Sequence, residues 1–163
     1  MRRGEILGLR WESLDLTQRT LQIRHALVAG RGSPSFDSPK TTESRRNTTL
    51  TAKAVDALIR QREAGFSLEN DALVFAFTKD TPVKTSRLRL ALKAFLKRTG
   101  LPNIRFQDLR HAYATLLPSK GIHPKIVSEQ LGHANIGITL DTYSHVLPGM
   151  GDAAAGAMDE ALE

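Results

Sequence analysis

The stretch LGHANIGITLDTYSHV, residues 131–146, holds two of the five histidines and one of the two tyrosines of a 163-residue chain. His133 and Tyr143 stand ten positions apart in it. These two residues are either polar side chains on a packed helix or groups that take part in a reaction. We expect the segment to continue as a helix after a tight turn. Three apolar side chains are expected to pack it and to hold the tyrosine in place: Ile136, Ile138 and Leu140.

The segment just before it, residues 123–132, is predicted to be a short helix with Pro124 near its first turn and Gly132 at its end. A short helix, a turn containing glycine and a second helix also describe a helix-turn-helix, which binds DNA without any chemistry. Position and spacing therefore leave an enzymatic and a DNA-binding interpretation open.

Helical periodicity covers most of the remaining chain. A first helix is predicted to end within residues 2–9. Pro118 is expected to interrupt one of the later helices, because proline removes a backbone hydrogen bond from a helix interior. The later helices are predicted over residues 51–65, 85–100, 106–121 and 151–163.

The region between the first two helices is predicted to be β-structure. Residues 19–29 alternate apolar and polar positions, which indicates a strand. Residues 36–50 are predicted to form two short strands around a turn at Thr42–Ser44. The chain is therefore predicted to be a single α+β domain, residues 1–163. It is mainly α-helical, with a small three-stranded antiparallel sheet near the N-terminus.

The composition favours an acidic partner. Lys and Arg number 23 against 17 Asp and Glu, which gives a net charge of +6, and such an excess is typical of nucleic-acid binding. The chain has no cysteine. This excludes disulfides, thiol nucleophiles and cysteine-ligated zinc, and it is compatible with a cytoplasmic location. The sequence lacks an apolar run of about 20 residues, so no membrane span is predicted.

Chemically capable side chains stand apart from the apolar pattern, and each also has an ordinary interpretation as a solvated, capping or core residue. If these side chains converge in the fold, they form a site suited to a phosphodiester. Such a site would contain two guanidiniums, an ammonium, an imidazole and a phenol. Arginine grips phosphate oxygens bidentately, tyrosine serves as a nucleophile and lysine protonates a leaving oxygen. No carboxylate cage for magnesium is evident, so the predicted chemistry needs no metal or other cofactor. The candidates are Arg2, Glu5, Lys40, Gln107, Arg110, His133 and Tyr143.

Four segments, in this order, resemble the catalytic domain of the tyrosine recombinase (phage integrase) family: RRGEILGLRW, SPKTTESRR, FQDLRHAYATLL and LGHANIGITLDTYSHV. The resemblance runs from Arg2 to about Pro148. It implies the helical fold of that catalytic domain, without the N-terminal core-binding domain that family members carry. It also implies that residues 151–163 are a C-terminal tail helix.

Carried over to this chain, the resemblance makes Arg2 the first catalytic arginine. Arg10 is the competing choice, but Glu5 stands three positions after Arg2 and supports the earlier residue. Lys40 then matches the general acid in the strand turn, and Arg110 matches the second catalytic arginine.

His133 matches the histidine that contacts the scissile phosphate. Tyr143 matches the nucleophile, which forms a 3′-phosphotyrosyl link. Tyr113, the other tyrosine, lies in an apolar setting and is interpreted as a core residue. Gln107 occupies a position where the family usually has histidine. Glutamine donates hydrogen bonds but accepts no proton at neutral pH.

The resemblance implies a site-specific recombinase or integrase that acts on double-stranded DNA. It also implies that four copies assemble on two DNA sites, with the tail docked on a neighbouring copy. Two alternatives remain at this point. One is a non-catalytic DNA-binding remnant of an integrase, and the other is an activity like that of type IB topoisomerases.

Overall fold

The fold is α+β and mainly helical, as predicted. A computed structural model describes residues 1–28, 35–37, 46–65, 69–78, 81–144 and 150–162. The helices are α1 (Arg3–Leu7), α2 (Ala52–Glu63), α3 (Thr85–Arg98), α4 (Asp108–Ser119), α5 (Pro124–Leu131), α6 (Gly137–Ser144) and α7 (Met150–Leu162). The strands are β1 (Leu14–Asp15), β2 (Thr20–Ile23), β3 (Ala26–Val28), β4 (Ser35–Asp37), β5 (Arg46–Thr49), β6 (Ala76–Thr78) and β7 (Thr81–Pro82).

Capping residues set the helix boundaries close to those predicted. The Thr51 hydroxyl accepts a hydrogen bond from the backbone N of Ala54 at 3.2 Å, at the start of α2. At the end of α5, Gly132 takes the left-handed conformation, with φ +65°. The expected interruption at Pro118 was wrong. Helix α4 continues through Pro118, which is buried in its last turn, and ends one residue later at Ser119.

The predicted three-stranded antiparallel sheet is present, in the order β1-β2-β5. Its strands differ from those expected, because the predicted strand over 19–29 breaks after Ile23 into β2 and β3. The two strands predicted within 36–50 join different partners: β4 pairs with β3, and β5 pairs with β2. The short hairpin β6–β7 was not predicted, since strands of two or three residues show no alternation. The turn predicted at Thr42–Ser44 lies outside the described residues.

In the part of the chain that the structure describes, buried apolar side chains form two separate clusters. One lies on the sheet side of the molecule and the other between α4 and α5. The first contains Leu9, Trp11, Leu21, Ile23, Ala72 and Val74, and the second contains Ala114, Val127 and Leu131. Strand β5 contacts helix α5, so the two halves meet there. The candidate site lies at this junction.

Candidate functional site

The first turn of α1 brings Arg2 and Glu5 together. Glu5 is only 4% exposed. Its Oε2 atom accepts a hydrogen bond from the backbone N of Arg2 at 2.6 Å, and its Oε1 atom accepts one from Arg2 Nη1 at 3.2 Å. The other arm of Arg2, Nη2, donates to the backbone O of Gly132 at 2.9 Å. Glu5 therefore caps the helix and also directs Arg2 across the junction.

Arg46, at the start of β5, joins three elements of the fold. Its Nη1 and Nη2 atoms donate to the two carboxylate oxygens of Glu5 at 3.1 and 2.9 Å. Its Nε atom donates to the backbone O of Gln130 at 2.7 Å. Burial alone would raise the pKa of Glu5, but the hydrogen bonds from Arg46 and Arg2 outweigh it and lower that pKa. Glu5 is therefore an ionised carboxylate between two guanidiniums.

No role was predicted for Arg46 from the sequence, although the sequence contains a signal for it. Leu50 packs on the first apolar cluster. Because alternate residues of a strand share a face, Arg46, four positions earlier, lies on the same inward face. Arg46 stands opposite Ile23 in the ladder. An arginine on an inward strand face needs a buried partner, and here that partner is Glu5.

The C-terminal end of α5 is the common anchor of three arginines. The backbone O atoms of Gln130, Leu131 and Gly132 accept from Arg46, Arg110 and Arg2, respectively. The last carbonyls of a helix have no partner within the helix and carry its partial negative charge, so they attract cations. Three consecutive residues of one helix end therefore hold the three guanidiniums together.

Glycine suits this helix end better than a residue that carries a Cβ atom. Its positive φ disfavours other residues. A Cβ atom built on Gly132 would lie 2.6 Å from Arg46 Nη1, closer than van der Waals contact allows. The glycine thus permits Arg46 to pass against the backbone.

Arg110, in α4, has one arm anchored and one arm without a partner. Its Nη2 atom donates to the backbone O of Leu131 at 2.6 Å. Its Nη1 atom is buried and has no hydrogen-bond partner among the described residues. Burial, followed by the charge of Arg2, lowers the pKa of Arg110 to about 10, so the guanidinium stays charged at neutral pH.

His133 follows directly on the helix end that anchors the arginines. Its Nδ1 atom lies 2.7 Å from the hydroxyl oxygen of Thr139 in α6. Burial, followed by the nearby charges of Arg110 and Arg2, lowers the pKa of His133 to about 4. The imidazole is therefore neutral at pH 7.

The expected packing of α6 was wrong. The apolar residues Ile136, Ile138 and Leu140 are exposed, with Ile138 at 51%. Among the described side chains of α6, Thr139 is completely buried. It was missed because a threonine between two aliphatic residues shows no helical periodicity of its own. The buried hydroxyl of Thr139 has a hydrogen-bond partner in the ring of His133.

Gln107 and the two candidate arginines line one cavity of about 350 Å³. Gln107 itself is exposed and directly precedes α4. The full lining consists of Met1, Arg2, Arg3, Gly4, Phe106, Gln107 and Arg110. The structure thus brings Arg2, Gln107 and Arg110 to a common space, with Glu5 bonded to Arg2.

Two further candidates cannot be placed in this way. Lys40 lies outside the described residues. Tyr143 belongs to α6, four positions after Thr139, and its side chain is also outside the described part of the structure.

The two competing residues lie elsewhere. Arg10 donates to the backbone O of Asp71 and stacks over Phe36, with its guanidinium 5.3 Å from the ring centroid. Tyr113 is 37% exposed, so the interpretation as a core residue was wrong. The next residue, Ala114, lies on the buried face of α4. The Tyr113 hydroxyl donates a hydrogen bond to the side chain of Gln130.

Within the described ranges, no cluster of histidine and carboxylate side chains is arranged to hold a metal ion. The same part of the chain contains no helix with the length and hydropathy needed to cross a membrane.

Residues 1–149 match the phage integrase family. A tyrosine recombinase XerC-like protein of Caldanaerobacter subterraneus subsp. tengcongensis is 33% identical, over 91% of this chain and 43% of that protein. The ICEBs1 integrase of Bacillus subtilis is 29% identical, over 99% of this chain and 46% of the relative. The chain thus spans less than half the length of either relative.

Solved structures show the same fold. The Tn1549 transposon integrase, in complex with circular intermediate DNA, matches with a TM-score of 0.80 at 23% identity. That match covers 99% of this chain and 56% of the integrase chain. The XerH site-specific recombinase, bound to its difH substrate before cleavage, matches with a TM-score of 0.61 at 26% identity, over 94% of this chain and 41% of that one.

Proposed function

Because the chain belongs to the phage integrase family, we propose that it is the catalytic domain of a site-specific DNA recombinase. In this proposal it cuts and rejoins one DNA strand at a time through a 3′-phosphotyrosyl intermediate. It does so in the cytoplasm, without a cofactor. The named relatives are a recombinase and an integrase, and the matched structures are DNA complexes.

The observation that carries this proposal is the unpaired arm of Arg110. A buried guanidinium N–H without a partner costs free energy unless a ligand binds it. Three arginines line the cavity, Arg2, Arg3 and Arg110, and none of its described lining residues carries a carboxylate. A phosphodiester supplies both the negative charge and the oxygen acceptors that this arrangement lacks.

In the proposed reaction, Arg2 and Arg110 bind the non-bridging oxygens of the scissile phosphate, and His133 donates a hydrogen bond to it. The Tyr143 oxygen attacks phosphorus as its proton passes to solvent, and a P–O bond to the tyrosine forms. The bond from phosphorus to the 5′ oxygen breaks, and Lys40 protonates that oxygen to give a 5′-hydroxyl. Attack by a 5′-hydroxyl on the phosphotyrosine reverses these steps and rejoins the strand without ATP.

Gln107 is proposed to donate a hydrogen bond inside this cavity. Its amide reaches the space that Arg2 and Arg110 line, and it cannot take a proton from the tyrosine. Proton acceptance in this chain therefore falls to another group or to solvent.

The basic surface beside the cavity is proposed to bind the DNA backbone. A groove of about 580 Å³ adjoins the site and shares Arg3 and Gln107 with the cavity. Its further cationic lining residues are Arg89, Lys93 and Arg105. Phosphate contacts of this kind hold a duplex in register without reading its sequence.

Four copies are proposed to assemble on two DNA sites, with α7 of each copy docked on a neighbour. Helix α7 exposes Met158 and Leu162. Helices α4–α6 expose Leu109, Leu116, Ile126 and Ile138, which offer an apolar surface to such a helix.

Deleting residues 150–163 is expected to reduce the mass of the DNA-bound complex measured by light scattering. Glu160→Gln, a change at an exposed polar position of the same helix, should leave that mass unchanged. An unaltered complex after the deletion would rule out docking through the tail.

The activity itself is tested by covalent trapping. The chain is mixed with a pool of duplexes that carry 5′-bridging phosphorothiolates, and protein–DNA adducts that resist denaturant are counted. The sulfur leaving group needs no general acid, so adducts accumulate. We expect an adduct with the unchanged chain and none with Tyr143→Phe. Lys40→Ala should still form the adduct on this substrate.

The other tyrosine provides the matched control, since Tyr113→Phe should retain the adduct. An adduct that survives Tyr143→Phe would contradict the assigned nucleophile. DNA binding without any adduct would favour the non-catalytic DNA-binding alternative. Relaxation of supercoiled plasmids that lack a defined site would favour the topoisomerase-like one.

A further inference from the structure

The buried residue Thr139 and the half-buried His133 form a hydrogen-bonded pair beside the proposed phosphate site. Thr139 is 0% exposed. Its hydroxyl oxygen lies 2.7 Å from Nδ1 of His133, six residues earlier in the chain. Thr142, in the same helix, instead donates its hydroxyl to the backbone O of Ile138 at 2.8 Å. The two threonines of α6 therefore use their hydroxyls differently.

The hydroxyl proton of Thr139 has one acceptor within reach in the described part of the chain, and this acceptor is the imidazole. A fully buried hydroxyl that donates to nothing costs free energy. If the Thr139 hydroxyl donates its proton to Nδ1 of His133, the hydroxyl has a hydrogen-bond acceptor. Nδ1 must then be unprotonated, with a free lone pair. The proton of a neutral imidazole must then lie on Nε2.

We propose that Thr139 is a positioning residue, which fixes the tautomer of His133 so that Nε2–H is presented as a donor to the scissile phosphate. This inference rests on the proposed function for the identity of the acceptor, but not for the tautomer itself. The lowered pKa of His133 agrees with a neutral ring whose tautomer, and not its charge, decides what it donates.

The tautomer is measured directly by NMR of the 163-residue chain labelled with ¹⁵N-histidine. His133→Gln identifies the resonances of His133 among the five histidines. In the unchanged chain at pH 7, we expect Nδ1 to resonate as an unprotonated nitrogen and Nε2 as a protonated one. Thr139→Val, which keeps the shape and removes the hydroxyl, should give a mixture of tautomers.

The same variants are then compared in single-turnover cleavage of phosphorothiolate duplexes. Thr139→Val is expected to slow cleavage about ten-fold, the size of one lost neutral hydrogen bond, with unchanged DNA affinity. Thr139→Ser should restore both the tautomer and the rate, and Thr142→Val should match the unchanged chain in both.

Two results would overturn the inference: a protonated Nδ1 in the unchanged chain, or a Thr139→Val spectrum identical to it. If the tautomer shifts as expected but no version of the chain forms an adduct, the positioning by Thr139 is supported and the proposed function fails. The two hypotheses are therefore separated.

Discussion

Replacing Arg110 by lysine is expected to slow single-turnover cleavage of a phosphorothiolate duplex by about 10²–10³-fold. Lysine keeps the positive charge but lacks the planar fork that bonds the Leu131 carbonyl with one arm and leaves the other arm for phosphate. The ammonium can satisfy the carbonyl or the phosphate, but it cannot hold both in the fixed geometry of a guanidinium.

Arg60→Lys, at an exposed position on α2, is the matched control and should cleave at the unchanged rate. Binding of uncut DNA is measured alongside. An Arg110→Lys chain that cleaves within about two-fold of normal would contradict the assignment, since a transition-state donor is worth far more than that.

Replacing Arg46 by glutamine is expected to lower the free energy of unfolding by about 3–5 kcal/mol, measured by urea denaturation. Arg46 and Glu5 are both almost fully buried, with side-chain exposures of 7% and 4%. Removing the guanidinium leaves a buried carboxylate short of a partner, and it also frees the Gln130 carbonyl. The loss is therefore larger than for an ordinary ion pair.

A second ion pair of the same chain, at the surface, serves as the comparison for the buried pair. Arg105, just before α4, and Asp108, its first residue, form an ion pair at 2.9 Å in which the Arg105 side chain is exposed, and Arg105→Gln should leave the urea midpoint nearly unchanged. The double variant Arg46→Gln with Glu5→Gln should be more stable than Arg46→Gln alone, because the buried carboxylate that lost its partner is then removed as well. A stable Arg46→Gln single variant would show that the buried pair does not hold the junction together.

The sequence was most informative where a local signal exists. The threonine before α2 and the glycine after α5 set helix boundaries through contacts within a few residues. Helical spacing also placed Glu5 one turn after Arg2, where the two side chains do bond.

Contacts between residues far apart in the chain could not be predicted from the sequence. Arg46 bonds the carbonyl of Gln130 across 84 positions, and no periodicity reports such a pairing. The strands were mispaired for the same reason, because a break after Ile23 sends the next strand to a different partner. Thr139 could not be recognised either, since its importance depends on the imidazole beside it and not on its own helix.

The shared anchor at the end of α5 also has a consequence for molecules in which this helix end is not formed. Fraying of that one helical turn would remove a carbonyl acceptor from Arg2, Arg46 and Arg110 at the same time. Loss of the turn therefore disturbs all three arginines together and not one by one. For the activity proposed above, a molecule in which this turn has not formed is expected not to cleave DNA, because its phosphate-binding arginines are not held in place.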